Sequence, residues 1–162
     1  MLFQLAKRFP HMVDVWQVAS SSEGRNIYAI KVMHCYLKDA AKRFSFAQIG
    51  YPSNTKKPIL WIDAGIHARE WIAHSTALYI IWQVREVCHQ KKMDIVVVPN
   101  TNPDGYEYSR KINRMWRKTS DQCSGVDGNR NYPFHFGEEG VSHWPCQYVS
   151  YTLLITSQHF VY

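Results

Sequence analysis

One sixteen-letter stretch constrains this chain more than any other: Pro58-Ile-Leu-Trp-Ile-Asp-Ala-Gly-Ile-His67-Ala-Arg-Glu70-Trp-Ile-Ala. Ile59 to Ile62 form a short apolar run of the kind that makes a strand. Gly65 then turns the chain into a tight loop, and an apolar helix is predicted from residue 70 to about 89, with apolar positions at 71, 72, 78, 81, 82 and 84. Ile95-Val-Val-Val follows as a second buried-type strand. Strand, helix and strand in that order make a βαβ unit, which requires a parallel pair and places an α/β sheet in this part of the chain. In such sheets the chemistry gathers at the carboxyl ends of the strands, and the loop carrying His67 and Glu70 is at that end.

The flanking segments extend this frame. Val13-Asp-Val-Trp-Gln-Val and Asn26-Ile-Tyr-Ala-Ile-Lys-Val are β-rich and separated by the turn-prone Ser20-Ser-Ser-Glu-Gly-Arg, which predicts a hairpin. Apolar residues at 2, 5 and 9 predict a short amphipathic helix at the N-terminus. Residues 34–57 lack a period and read as a long surface loop; 99–146, rich in Asn, Pro, Gly, Asp and Ser, read as mainly loop; and 148–156 read as a strand.

With 46% hydrophobic residues and 14% aromatics in 162 residues, the chain can form the core of one ordinary domain, and disorder is not expected. The net charge of +6 is spread out except for Arg110-Lys-Ile-Asn-Arg114-Met-Trp-Arg117-Lys118. No nucleic-acid module surrounds that run, so it reads as a binding loop for a small anion, and neither nucleic acid nor membrane is expected as a partner. The N-terminal residues carry charge too early for a secretion signal. Cys35, Cys88, Cys123 and Cys146 contain no C-x-x-C pattern and are too few for a disulfide scaffold.

His67 and Glu70 stand three apart at a helix entrance, where both side chains face one way. An imidazole and a carboxylate are both good zinc ligands. Spacing alone does not select them, because His135 and Glu138 repeat it; the strand–loop–helix context does. Arg114 and Arg117 flank Trp116, and Asn129-Arg130 follows; guanidinium forks grip carboxylates, although a solvated basic loop is the alternative reading. Asp127 suits either a turn or a carboxylate that orients a ligand histidine.

These segments together resemble the zinc carboxypeptidases of the pancreatic A/B type. The resemblance rests on Gly65-Ile-His67-Ala-Arg69-Glu70-Trp71-Ile, Thr101-Asn-Pro-Asp-Gly-Tyr, Asn113-Arg-Met-Trp-Arg-Lys-Thr and Cys123-Ser-Gly-Val-Asp-Gly-Asn129-Arg130-Asn131-Tyr, four motifs in family order. The Ser20-to-Tyr28 hairpin resembles the family's first. The implied fold is a partial mixed β-sheet with flanking helices, the first half of the carboxypeptidase fold. Residues 1–162 then form a single partial domain, family-like at 8–33 and 58–146, insertion-like at 34–57 and divergent from 147.

The resemblance implies one zinc ion held by His67 and Glu70, with Asp127 hydrogen-bonding the ligand histidine. It casts Arg117 as the group that polarises the scissile carbonyl, Asn129 and Arg130 as the grip on a substrate's terminal carboxylate, and Arg69 as a residue of the peptide groove. Substrates would be peptide or protein C-termini. Cys123 and Cys146 match disulfide partners, which implies a secreted protein. The family's third zinc ligand and general-base Glu have no clear match, although Ser157-Gln-His159 resembles the third-ligand motif at a shorter distance than the family's. The chain is therefore expected to be abbreviated and impaired in turnover, or to be a non-catalytic peptide- or partner-binding form.

Overall fold

The computed structural model describes residues 1–10, 13–32, 58–86, 93–119, 125–134 and 136–138. Four strands form one mixed sheet: β1 (Val13–Ser20), β2 (Asn26–Val32), β3 (Ile59–Asp63) and β4 (Asp94–Val98), in the spatial order β1-β2-β4-β3. The predicted hairpin is present, running from Val13↔Val32 to Ser20↔Asn26 with a register shift between Gln17 and Ala19. β3 and β4 pair in parallel from Ile59↔Asp94 to Asp63↔Val98, as the βαβ reading requires, and β2 pairs antiparallel with β4.

Strand residues alternate between the two faces of the sheet. Ile30, Val32, Ile95 and Val97 point to one face, where Leu5 of α1 (Leu2–Arg8) and Ala77 and Ile81 of α2 (Trp71–Glu86) close a core over them. Ile27, Ala29, Val96 and Val98 point to the other, against Trp16, Val18 and Trp61. β4 is central, so its apolar run is buried on both sides.

Two expectations of burial are corrected. Ile59 and Leu60 of β3 are exposed, because β3 is the last of the described strands in the sheet. On α2 only Ala77 and Ile81 are buried, while Ile72, Tyr79 and Trp82 face outward. Its apolar residues run all round the helix, but the sheet covers one side.

A third correction concerns the long loop after β4. Residues Pro103–Lys111 form a helix, α3. The Asn102 side chain accepts the Gly105 N–H, Pro103 occupies the first turn, Asp104 sits near the positive end and Arg110 and Lys111 near the negative end. The loop at 34–57, the strand at 148–156 and all four cysteines lie outside the described residues.

The buried Asp104 carboxylate also ties α3 to the hairpin. It accepts from Ser21 Oγ (2.7 Å), Ser22 Oγ (3.1 Å), the Glu23 N–H (3.1 Å) and the Arg25 guanidinium. Burial pushes its pKa up, but these hydrogen bonds outweigh burial and hold it below the usual carboxylate value. Asp104→Asn is expected to destabilise the chain by roughly 2 kcal/mol, because an amide cannot accept all four donors. Urea denaturation of the two proteins at neutral pH measures this.

Candidate metal and substrate site

The loop from Ala64 to Glu70 links the carboxyl end of β3 to α2, and most of its carbonyls are held by hydrogen bonds. The Ala64 N–H donates to the Val98 carbonyl (2.9 Å), and the Ala64 carbonyl accepts from the Thr101 N–H (2.9 Å) and hydroxyl (3.1 Å). The Ile66 carbonyl accepts from Asn102 Nδ2 (2.9 Å), the Ala68 carbonyl from Ser109 Oγ (3.2 Å) and the Arg69 carbonyl from Arg114 Nη1 (2.8 Å). The Ala68 N–H donates to the Arg117 carbonyl (3.0 Å). Gly65 has φ +77°, and the His74 ring lies where its Cβ would be, so this position requires glycine. α3 and the segment after it therefore hold the loop from one side, and α2 supports it from below.

His67 is buried at the centre of this loop. Its Nδ1 lies 2.9 Å from Glu70 Oε1, and its Nε2 lies 3.2 Å from Asp127 Oδ1. Asp127 is fully buried; its Oδ1 also accepts the Asn129 N–H (3.0 Å) and its Oδ2 accepts from Arg117 Nε (2.8 Å). Arg117 Nη1 comes within 3.8 Å of Glu70 Oε1, which closes a ring of four side chains.

Burial alone would push the Asp127 carboxyl up. The hydrogen bonds from His67 and Arg117, with their charges, outweigh it and bring the pKa down to about 2. A carboxylate depressed in the folded state adds stability above its unfolded pKa near 4, and that stability fades as pH falls toward the folded value. Asp127 should therefore contribute roughly 2 kcal/mol at neutral pH that is lost between about pH 4 and pH 2. Urea midpoints at pH 6 and pH 2.5 measure the loss, and Asp127→Asn should flatten that part of the profile.

An ionised Asp127 has a direct consequence for His67. As an acceptor it draws an imidazole proton to Nε2, and in the neutral ring Nδ1 then carries a lone pair. That lone pair faces a Glu70 carboxylate oxygen at 2.9 Å. Two acceptors this close require a proton or a cation between them, and a nitrogen and a carboxylate oxygen are the donors zinc accepts. The donor chemistry thus fits a zinc ion at Nδ1 and Oε1. Among the described residues no group of three or more His, Cys, Asp or Glu side chains converges as a ligand set.

Asn129 and Arg130 lie on a 3-10 turn, Gly128–Arg130, that follows Asp127 directly. The turn packs on the metal loop, since a Cβ at Gly128 would press on the Ile66 side chain. Arg69 lies on the loop itself, between the two candidate ligands. Arg114 stacks over the Trp71 ring at 3.9 Å, and Trp116 is buried beside Tyr108, while Arg110 and Lys111 are exposed and pair with Glu107 on α3. All the described candidates therefore gather at the carboxyl end of β3. The sequence reading assigned no role to Asn102 or Ser109; an Asn-Pro pair ahead of an acidic residue was the available signal. His135, Cys123, Cys146 and His159 lie outside the described residues.

The model for the zinc carboxypeptidase family matches residues 1–151. The chain belongs to the zinc carboxypeptidase family. It is 36% identical over 158 residues to carboxypeptidase B of Astacus astacus, covering 90% of this chain and 46% of that protein. It is 35% identical over 161 residues to mouse carboxypeptidase A4, covering 90% of this chain and 34% of that one. Among solved structures, carboxypeptidase A from Helicoverpa armigera superposes with a TM-score of 0.76 at 26% identity, over 94% of this chain and 36% of its own. Bovine thrombin-activatable fibrinolysis inhibitor, solved in complex with a tick carboxypeptidase inhibitor, superposes at 0.71 with 32% identity, over 92% of this chain and 46% of its own. This member of the zinc carboxypeptidase family thus shares part of the fold of its relatives and spans between a third and a half of their length.

Proposed function

We propose that this chain carries the first part of a zinc carboxypeptidase site, with His67 and Glu70 as metal ligands and peptide C-termini as its substrate class. The observation that carries the reading is the 2.9 Å approach of His67 Nδ1 to Glu70 Oε1 beside the Arg117–Asp127 pair. A zinc ion held there supplies Lewis acidity at a peptide carbonyl. Asp127 keeps the His67 proton on Nε2 and holds the Arg117 guanidinium, and Arg117 is placed to meet negative charge developing on that carbonyl oxygen. Asn129 and Arg130 offer amide and guanidinium donors for a terminal carboxylate, and Arg69 borders the path of the peptide. Turnover is proposed to be weak in these 162 residues, since His67 and Glu70 stand as a pair among the described residues.

The same reading takes residues 1–162 as one partial catalytic domain, pairs Cys123 with Cys146, and places the protein outside the cell. A non-catalytic form that binds peptides or a partner is the second reading, which the lack of a clear match in these 162 residues to the family's third zinc ligand and general-base Glu supports.

Fluorescence anisotropy with one labelled tetrapeptide, carrying either a free or an amidated C-terminus, tests the substrate class. In the presence of zinc, the free acid should bind at least tenfold more tightly, and Arg130→Gln should remove the difference. Equal binding of the two peptides would contradict the carboxylate grip. Product formation on the same samples separates the catalytic from the binding form.

A further inference from the structure

Asn102 is buried, and its single side-chain amide reaches three segments at once. Nδ2 donates to the Ile66 carbonyl (2.9 Å), one residue before His67, and to the Lys118 carbonyl (3.0 Å), one residue after Arg117. Oδ1 accepts the Gly105 N–H (2.9 Å) and so fixes the start of α3. Both protons of the amide are therefore committed to the two loops that carry the candidate ligand and the candidate carbonyl-polarising arginine. Between those two anchors the loops share one backbone bond, from the Ala68 N–H to the Arg117 carbonyl. The neighbours leave no slack, because a Cβ on Gly105 would collide with the Lys118 carbonyl and the Asn102 amide.

We propose that Asn102 is a positioning residue that sets the spacing of the His67 loop against the Arg117 loop, so that one buried amide couples the metal half of the site to its carbonyl-polarising half. The proposal rests on the zinc reading for its consequence at the metal, but the coupling itself is a property of the metal-free chain. Removing the bridge while keeping the cap is possible in one substitution. Serine is a good helix N-cap through its Oγ, but it is too short to reach both carbonyls and offers only one proton. Asn102→Asp also keeps the cap acceptor, but it turns a carboxylate oxygen toward two carbonyl oxygens.

The experiment compares the full chain with Asn102→Ser, Asn102→Asp, His67→Ala and, as a control that loosens only the hairpin's hold on Asp104, Ser21→Ala. Two readouts are taken well below the melting temperature of every variant. One is hydrogen exchange at the Ala68 amide without metal, and the other is cobalt(II) binding followed through its visible absorption bands. In Asn102→Ser the Ala68 amide should exchange at least about tenfold faster, and His67-dependent cobalt affinity should fall about 10–100-fold with altered band positions. Ser21→Ala should lower the melting temperature without moving either signal. Should Asn102→Asp fail to fold, Asn102→Ser decides alone. Unchanged Ala68 exchange in Asn102→Ser overturns the coupling. If the unsubstituted chain shows no His67-dependent cobalt signal while Asn102→Ser still loses Ala68 protection, the zinc reading fails and the coupling stands.

Discussion

Asp127→Asn is expected to lower zinc affinity about 10–100-fold and to destabilise the chain by about 3 kcal/mol at neutral pH. The carboxylate now accepts from His67 Nε2, Arg117 Nε and the Asn129 N–H in a fully buried position. An asparagine of the same shape has one acceptor oxygen. The neutral amide removes the counter-charge of the largely buried Arg117 guanidinium, and its NH2 group faces either Arg117 Nε or, turned over, His67 Nε2 and the Asn129 N–H. In the second case the imidazole must present a lone pair at Nε2, so its proton moves to Nδ1 and blocks the metal-facing atom. Chelator competition and urea denaturation on the same preparation separate the two effects. An unchanged affinity would mean that Asp127 does not set the histidine tautomer. Loss of affinity without loss of stability would confine its role to the imidazole.

Gly105→Ala carries the second large effect, and its sign is the reverse of the usual one. Replacing glycine by alanine within a helix ordinarily stabilises by up to about 1 kcal/mol. At position 105 the new methyl would approach the Lys118 backbone carbonyl and both polar atoms of the Asn102 amide closer than 3.0 Å. A backbone carbonyl and a side chain committed to three hydrogen bonds cannot step aside cheaply. The expected cost is roughly 3 kcal/mol, read as a lower melting temperature, because α3 must move off the site loops. Gly24→Ala is the contrast: nothing lies within 4 Å of its Cβ position, and only the φ of +78° opposes the change, at a cost of about 1–2 kcal/mol. If Gly105→Ala were neutral, the tight seating of α3 on residue 118 would be wrong.

The parts of the fold readable from residues are those with local signals. The hairpin at Val13–Ser20 and Asn26–Val32 follows from two β-branched runs and a glycine turn, and the β3–α2–β4 unit from apolar runs bounded by breakers. α3 was hidden because Asn-Pro-Asp-Gly serves equally as a turn and as a helix start. Its decisive contacts are with residues 66, 68 and 118, which no local window contains. The exposure of Ile59, Leu60, Ile72 and Trp82 escapes the sequence for a related reason: an apolar side chain marks what can be buried, and the neighbours decide what is.

The site divides in the same way. His67 and Glu70 are three residues apart, so their convergence follows from helix-entrance geometry. Asp127 lies 60 residues from His67, so the residues alone read it equally as a turn or as a carboxylate orienting a ligand histidine, and only the family resemblance favoured the second. Asn102 and Ser109 contribute through backbone carbonyls, which carry no identity in the sequence, and went unassigned for that reason.

His67 Nδ1 and Glu70 Oε1, 2.9 Å apart, are the donors of the proposed metal site. Zinc binding to the purified chain by chelator competition, beside His67→Ala and Glu70→Gln, tests this directly. One zinc per chain, with affinity falling at least tenfold in each variant while far-UV circular dichroism stays the same, is the predicted result. Zinc binding that is absent, or present and indifferent to both substitutions, would contradict it.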